Sequence, residues 1–163
     1  MKINKNQINI LEKRKVQAEI IIPIYKEMVL TLGKKKAEQI LEKAIINSAI
    51  YEGESLRKII DRKNNKLSLI DKFIEVFDNW KIGGALKINE IKKNEEVYHF
   101  DVTRCKYAEM YKEMGIKELG SILSCNRDNY FSKGFDNKLS LKRKQTIMNG
   151  DKSCTFRYKI EKN

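Results

Sequence analysis

Apolar residues recur at helical spacing through the first half of the chain. The clearest stripe consists of Ala37, Ile40, Leu41, Ala44, Ile45 and Ala49. Steps of three and four residues put these side chains on one face, so the pattern predicts an amphipathic helix. A longer helical segment, Gln7 to Leu30, comes before it. Pro23 is expected to kink or divide that segment, and Gly33 to end it.

A third helix is predicted to begin at Ser68, where Ser68-x-x-Asp71 matches a capping box. Its apolar side chains are Leu69, Phe73, Ile74, Phe77 and Trp80. A short helical piece over 54–61 is expected to connect the second and third helices, with 63–66 as an exposed loop.

After Trp80 the period of the pattern shifts towards two, which is typical of strands. Segments 85–91 and 97–103 predict one antiparallel hairpin, and helical sequence returns over 105–131 with breaks near Gly115 and Gly120. Segments 141–148 and 152–160 predict a second hairpin, because Asn149-Gly150 between two strand-like runs favours a tight turn.

The fold class expected from these elements is α+β: a helical N-terminal half packed on a four-stranded antiparallel sheet crossed by helices. The length of 163 residues fits a single domain over 1–163. Within it, 1–80 forms the helical part, and 81–163 forms the part that contains the sheet. Nothing in the sequence indicates the oligomeric state.

A formal net charge of +12 raises the question of nucleic-acid binding. The basic residues are mostly lysines interleaved with acidic residues, as in KKKAEQILEK, and are not gathered in one stripe. Arginine is the usual residue for bidentate contacts to bases and phosphates, and no nucleic-acid-binding motif is present. The sequence therefore favours a solvated basic surface over a specific nucleic-acid partner.

The first residues show no signal-peptide pattern, and the longest apolar run, 20–25, is too short to span a membrane. Three cysteines, an odd number, fit reduced thiols in the cytoplasm. The expectation is a cytoplasmic protein that has no membrane segment and acts on a small molecule.

The candidate chemistry lies in the last third of the chain, which holds Cys105, Cys125 and Cys154. Their spacing matches no zinc or thioredoxin motif, and the lone His99 sits mid-strand with little indication of catalysis. Cys125 and Asp128 are three positions apart in a helical stretch, so a thiol and a carboxylate share one face. This pairing predicts a nucleophile beside a proton-handling group.

The other two thiols have competing interpretations. Cys105 opens a predicted helix, where the N-terminus is expected to lower the thiol pKa, although a small residue filling a tight corner is the alternative. Cys154 lies on an apolar strand face and is equally well explained as a buried structural cysteine.

Three runs make up the same block: VTRCKYAEMYKEMG, LSCNRDNYFSKGF and KRKQTIMNGDKSCTFRY. Together they resemble the bacterial 2-aminothiazoline-4-carboxylate hydrolase family. The family's Arg-Cys pair falls on Arg104-Cys105, its Cys-x-x-Asp on Cys125-Asp128, and its Gly-x-x-x-Cys-x-Phe strand on 150–156. The N-terminal run AEIIIPIYKEMVLTLGKKKAEQILEKAI is also similar to the family's helical opening, so the resemblance covers nearly the whole chain.

The resemblance implies a cysteine-dependent hydrolase that opens a small cyclic amidine or isothiourea at a C–N or C–S bond. Cys125 is then the nucleophile and Asp128 the proton donor and acceptor. Arg104 would bind a substrate carboxylate, and Cys105 and Cys154 would line the pocket or act as second thiols. The scheme requires no metal and no organic cofactor.

Two positions depart from the family pattern next to the expected pocket. Lys144 replaces a threonine, and Thr155 replaces an aspartate that is common there. Because both lie next to the expected pocket, they allow a substrate different from the one that names the family. A rival function is a non-catalytic small-molecule sensor similar to the vinyl-reductase-like domains. A thiol with a lowered pKa favours the enzyme, and tight binding without turnover favours the sensor.

Overall fold

A computed structural model describes residues 8–162 of the chain. Six α-helices lie within this range, and three irregular turns connect some of them. The helices are α1 Ile10–Leu32, α2 Lys34–Lys63, α3 Leu69–Phe77, α4 Lys106–Glu113, α5 Lys117–Gly120 and α6 Asn126–Phe135. The turns are a kinked 3-10 segment at Asp78–Gly84, a π-helical turn at Ser121–Cys125 and a 3-10 turn at Ile147–Asn149.

Four strands form one antiparallel sheet in the order β1-β2-β4-β3. The strands are β1 Leu86–Lys93, β2 Val97–Cys105, β3 Leu139–Lys142 and β4 Cys154–Ile160. The predicted α+β class is therefore confirmed, as is the first hairpin, whose strands extend two residues further than expected at their C-terminal ends.

The first two helices are more continuous than the sequence suggested. Asn9 caps α1 through a reciprocal bond with Glu12, whereas the predicted start at Gln7 lies outside the described residues. Pro23 sits on the exposed side of an unbroken α1, and Gly33, at φ 78°, ends the helix as predicted. The predicted separate piece at 54–61 is wrong, because α2 runs without interruption to Lys63.

α3 packs an aromatic face on the sheet. Ser68 caps its first turn by accepting a hydrogen bond from the backbone N–H of Asp71, as predicted. The ring of Phe73 lies 4.6 Å from that of Tyr158, and the ring of Phe77 lies 5.1 Å from that of Phe100. Strands β2 and β4 turn alternate side chains towards this helix, so the core forms between α3 and the middle of the sheet.

The predicted second hairpin is wrong in its details. β3 ends at Lys142, and residues 143–153 make a long connection in place of a strand and a tight Asn149-Gly150 turn. Side chains satisfy the backbone donors of this segment. Thr155 Oγ1 accepts from Lys144 N at 3.1 Å, and Asp151 Oδ2 accepts from Thr146 N at 2.8 Å. Because these donors are not available to an opposite strand, the ladder stops early.

Two glycines allow α2 and α6 to pack backbone against backbone. A Cβ atom on Gly53 would lie 2.6 Å from Phe135 N, and one on Gly134 would lie 2.7 Å from Ile50 Cα. Only glycine permits such an approach without displacing main chain. These contacts lie at the C-terminal half of α6, and one residue before Gly53, Glu52 accepts a hydrogen bond from Arg127 in the first turn of α6, beside the candidate site.

Within residues 8–162, no helix has both the length and the apolar character needed to cross a bilayer.

Candidate active site

A partly open cavity of ≈ 60 Å³ lies between the sheet and the helices that cross it. Most of its wall is apolar and aromatic, with a few charged groups and thiols. Its aromatic lining residues are Phe73, Phe77, Trp80, Tyr107, Phe131, Phe156 and Tyr158.

All three cysteines and Asp128 line this one cavity. Cys105 ends β2, Cys154 begins β4 opposite Val102, and Cys125 ends the π-helical turn immediately before α6. The negative charge of Asp128 acts on all three thiols and raises the pKa of each. The tertiary fold therefore brings together groups that are far apart along the chain.

The pKa of each cavity thiol is raised, which favours its protonated form. Burial raises the pKa of Cys105 to about 11, although the backbone N–H groups of Tyr107 and Ala108 act in the opposite direction. The predicted lowering of this pKa by the helix N-terminus is thus wrong, because desolvation outweighs it. Burial and the charge of Asp128 together raise the pKa of Cys125 further still.

Cys154 is both a cavity residue and a structural one. It is buried among the apolar side chains of the core, and burial raises the pKa of its thiol. Its Sγ also accepts a hydrogen bond from the backbone N–H of Ile147 at 3.2 Å. This bond fixes the 3-10 turn against the start of β4, so the structural interpretation of Cys154 holds alongside its place in the cavity wall.

Arg143 completes the thiol and carboxylate group, and the sequence pattern did not point to it. Its guanidinium forms a short ion pair with Asp128 and donates to the carbonyl oxygen of Cys125 at 2.7 Å. It also lies 5.0 Å over the ring of Phe156. Burial raises the pKa of Asp128 even though Arg143 opposes that rise. The result is a carboxyl group that is more basic than usual, beside a thiol.

A second charged cluster lines another part of the cavity and was also missed. Glu52 of α2 accepts hydrogen bonds on the same Oε2 atom from Arg14 of α1 at 2.8 Å and Arg127 of α6 at 2.6 Å. Both arginines are buried, with exposed fractions of 4% and 7%. The two guanidinium groups hold the pKa of Glu52 below its usual value.

Several residues proposed from the sequence lie away from the cavity. Arg104 is exposed and pairs with Glu109 at 2.8 Å, so it does not line the wall. Lys144 and Thr155, the two departures from the family pattern, contact each other and likewise lie outside the lining. His99 sits mid-strand and is not a lining residue.

In the described part of the chain, no group of three or more His, Cys, Asp and Glu side chains is arranged to hold a metal ion.

Comparison with solved structures reveals a shared fold. The chain is similar to the phenol-responsive sensory domain of the transcription activator PoxR, solved with phenol. The TM-score is 0.54 at 14% sequence identity, and the match covers 90% of this chain and 74% of that one. At this identity the likeness concerns the fold alone.

Comparison with curated proteins gives no significant match. A sequence profile of one family, described as L-2-amino-thiazoline-4-carboxylic acid hydrolase, matches residues 13–158, which is most of the chain. The chain therefore belongs to the L-2-amino-thiazoline-4-carboxylic acid hydrolase family.

Proposed function

We propose that the protein is a cysteine-dependent hydrolase that opens a small cyclic amidine or isothiourea, such as a 2-aminothiazoline-4-carboxylate. One observation carries the proposal: Cys125, Asp128 and Arg143 meet at the wall of one mostly apolar cavity, which the other two thiols also line. An apolar pocket with a few convergent polar groups and perturbed pKa values is the usual form of an active site.

In the proposed reaction, Sγ of Cys125 adds to the amidine carbon of the ring while its proton passes to Asp128. The carbon–sulfur bond of the ring then breaks, and the proton goes on to the departing sulfur, which leaves as a thiol. The amidine carbon, still bonded to its two nitrogens, is now bonded to Sγ of Cys125 as an isothiourea. Water adds to its carbon, the bond to Cys125 breaks with return of a proton to Sγ, and a carbamoyl product forms. One water is consumed in total.

The raised pKa values fit a proton transfer that is coupled to attack. A thiol in this environment is neutral before the substrate binds, so it needs a base in contact with the reacting atoms. Burial raises the pKa of Asp128, which makes its carboxylate a better base than an exposed one. Arg143 holds that carboxylate in place and compensates its charge.

The test is turnover of a panel of thiazolines, amidines and isothioureas, followed by the release of free thiol. Cys125→Ser should abolish turnover, because a serine hydroxyl is a far poorer nucleophile here than a thiol that can transfer its proton. Asp128→Asn should slow the reaction but leave Cys125 open to alkylation. An active Cys125→Ser variant together with an inactive Cys105→Ser variant would move the nucleophile to Cys105.

A second candidate function is a non-catalytic sensor of small ring compounds. It is favoured by the raised pKa of every cavity thiol and by the aromatic lining. The fold shared with a phenol-responsive sensory domain agrees with it. The single tryptophan, Trp80, lines the cavity, so its fluorescence can report binding. Tight binding of ring compounds without any turnover across the panel would favour this function.

A further inference from the structure

We infer that Arg14 and Arg127, held together by Glu52, form a subsite for the carboxylate group of the ligand. The inference extends the proposed function in that it assumes a small ring compound in the cavity. It replaces Arg104, which the sequence had suggested for this role. The ligand expected at this subsite is a single-ring compound with a carboxylate group attached to the ring.

The charges of the cluster leave a positive surplus at the cavity wall. Two buried guanidinium groups share one carboxylate oxygen, and Lys13 approaches the other oxygen of Glu52 at 3.6 Å from outside. Asp128 and Arg143 balance each other across the remaining polar wall. The charged side chains lining the cavity are therefore three arginines against two carboxylates. A buried surplus of one positive charge is unfavourable unless an anion accompanies it.

Arg127 has hydrogen-bond capacity to spare. Within residues 8–162 one hydrogen bond of its side chain is found, to Glu52, whereas a guanidinium carries five N–H donors. No side-chain nitrogen of Arg127 in this range is both fully buried and without a partner, so its spare donors are accessible. Burial and the charge of Arg14 lower the pKa of Arg127, and the negative charge of a bound anion would act in the opposite direction.

The position of the cluster suits a ligand that also reaches the thiols. Arg127 follows Cys125 by two residues and precedes Asp128 in the first turn of α6. Arg14 and Arg127 also line a neighbouring cleft that is bordered by Gln17 and Tyr111. The arginine pair thus stands between this cleft and the thiol cavity. A ring carboxylate entering from the cleft would leave its anionic group at the arginines and extend its ring towards Cys125.

The experiment measures binding in the Cys125→Ser protein, so that turnover plays no part. Ligands are matched pairs of equal shape and different charge: 2-aminothiazoline-4-carboxylate with its carboxamide, and benzoate with benzamide. Titrations are followed by Trp80 fluorescence and yield the ratio of the two dissociation constants in each pair. We expect the carboxylate to bind roughly ten- to hundredfold more tightly, the range of charge-assisted hydrogen bonds.

Substitutions in the cluster should change that ratio in opposite directions. Arg127→Gln should remove most of the preference for the carboxylate, and Arg127→Lys should retain part of it, since it keeps the charge but loses the fork geometry. Glu52→Gln should increase the preference, because it removes the competing carboxylate. A purely structural role would weaken both ligands of a pair equally and leave the ratio unchanged, even if folding is impaired.

Two further arginines serve as comparison. Arg62→Gln is the matched control, because Arg62 is exposed near the end of α2. Arg104→Gln tests the rival assignment, and neither substitution should alter the ratio. The inference is overturned if carboxylates show no preference over their amides, if no member of either pair binds, or if Arg104→Gln removes the preference instead. These results are separate from the proposed function, whose failure would appear as absent turnover in the unsubstituted protein.

Discussion

Replacing Arg143 by Met gives the sharpest test of the charge arrangement at the candidate site. The side chain of Arg143 is 13% exposed, and it compensates Asp128 in a mostly apolar cavity. Methionine preserves much of the side-chain volume over Phe156 but removes the charge and the hydrogen bond to the Cys125 carbonyl. Breaking one side of a buried pair destabilises proteins by about 3–5 kcal/mol, and the 30% exposure of the Asp128 side chain favours the lower end of that range.

The expected loss of stability depends on pH, because Asp128 can become neutral by taking up a proton. Its ordinary pKa is 3.8. Keeping it protonated near pH 7 costs at most about 4 kcal/mol, and near pH 4.5 about 1 kcal/mol. The unsubstituted protein already includes part of this free-energy cost, since the pKa of its Asp128 is raised. We therefore expect Arg143→Met to lower the free energy of unfolding by about 3 kcal/mol near pH 7 and about 1 kcal/mol near pH 4.5.

The sign follows from linkage. A carboxyl group whose pKa is raised in the folded state binds its proton more tightly there than in the unfolded chain. Its stabilising effect is complete below the unfolded pKa and is lost as the pH rises through the folded pKa. Without Arg143 the folded pKa of Asp128 rises further, so the loss of stability continues to higher pH than in the unsubstituted protein.

The assay is urea unfolding at the two pH values, followed by the fluorescence of Trp80. Arg104→Met is the control, because the exposed Arg104–Glu109 pair should leave the unfolding midpoint unchanged at either pH. An equal loss for Arg143→Met at both pH values would refute the reasoning. Arg143 would then act through packing alone. The argument that Asp128 is a carboxylate with a raised pKa, and hence the proton acceptor, would no longer hold.

Three further outcomes follow from the packing and the thiol pKa values. Gly134→Ala should lower the free energy of unfolding by about 1–3 kcal/mol, because its Cβ would collide with the backbone of Ile50; an unchanged unfolding midpoint would contradict the α2–α6 approach. Alkylation of Cys105 by iodoacetamide near pH 8, read by mass spectrometry, should be roughly hundredfold slower in the native protein than in urea, since its pKa is about 11 rather than 9.0. A native rate equal to the unfolded rate would show an exposed thiolate. The raised pKa of Cys105 also predicts that unfolding free energy falls as the pH rises above about 9, an effect that Cys105→Ala should reduce.

Raised thiol pKa values bear on both candidate functions. In a sensor they keep the cavity neutral and inert towards electrophiles until a ligand arrives. In a hydrolase the raised thiol pKa values mean that the nucleophile forms only when substrate is bound and a base accepts the thiol proton. The same apolar cavity therefore suits either function. Turnover of the ligand panel by the unsubstituted protein is the property that distinguishes a hydrolase from a sensor.

Much of the fold was determined by local sequence. The apolar stripe from Ala37 to Ala49 and the cap at Ser68 specify helices, because helical periodicity and terminal hydrogen bonds act between residues a few positions apart. The alternation over 97–103 specified β2 for the same reason. The spacing of Cys125 and Asp128 likewise placed a thiol and a carboxyl group together before any tertiary contact was considered.

The rest was decided by tertiary structure. The predicted strand over 141–148 ends at Lys142, because side chains of Thr155 and Asp151 accept from backbone donors of the following segment, and Arg143 pairs there with Asp128 on a different element. Arg14 and Glu52 meet only because α1, α2 and α6 pack closely, with glycines at the α2–α6 contact. The pKa of Cys105 rises rather than falls because desolvation depends on everything that surrounds a side chain. Neither an ion pair between distant elements nor the burial of a thiol is contained in local sequence, since both arise only when the whole chain has packed.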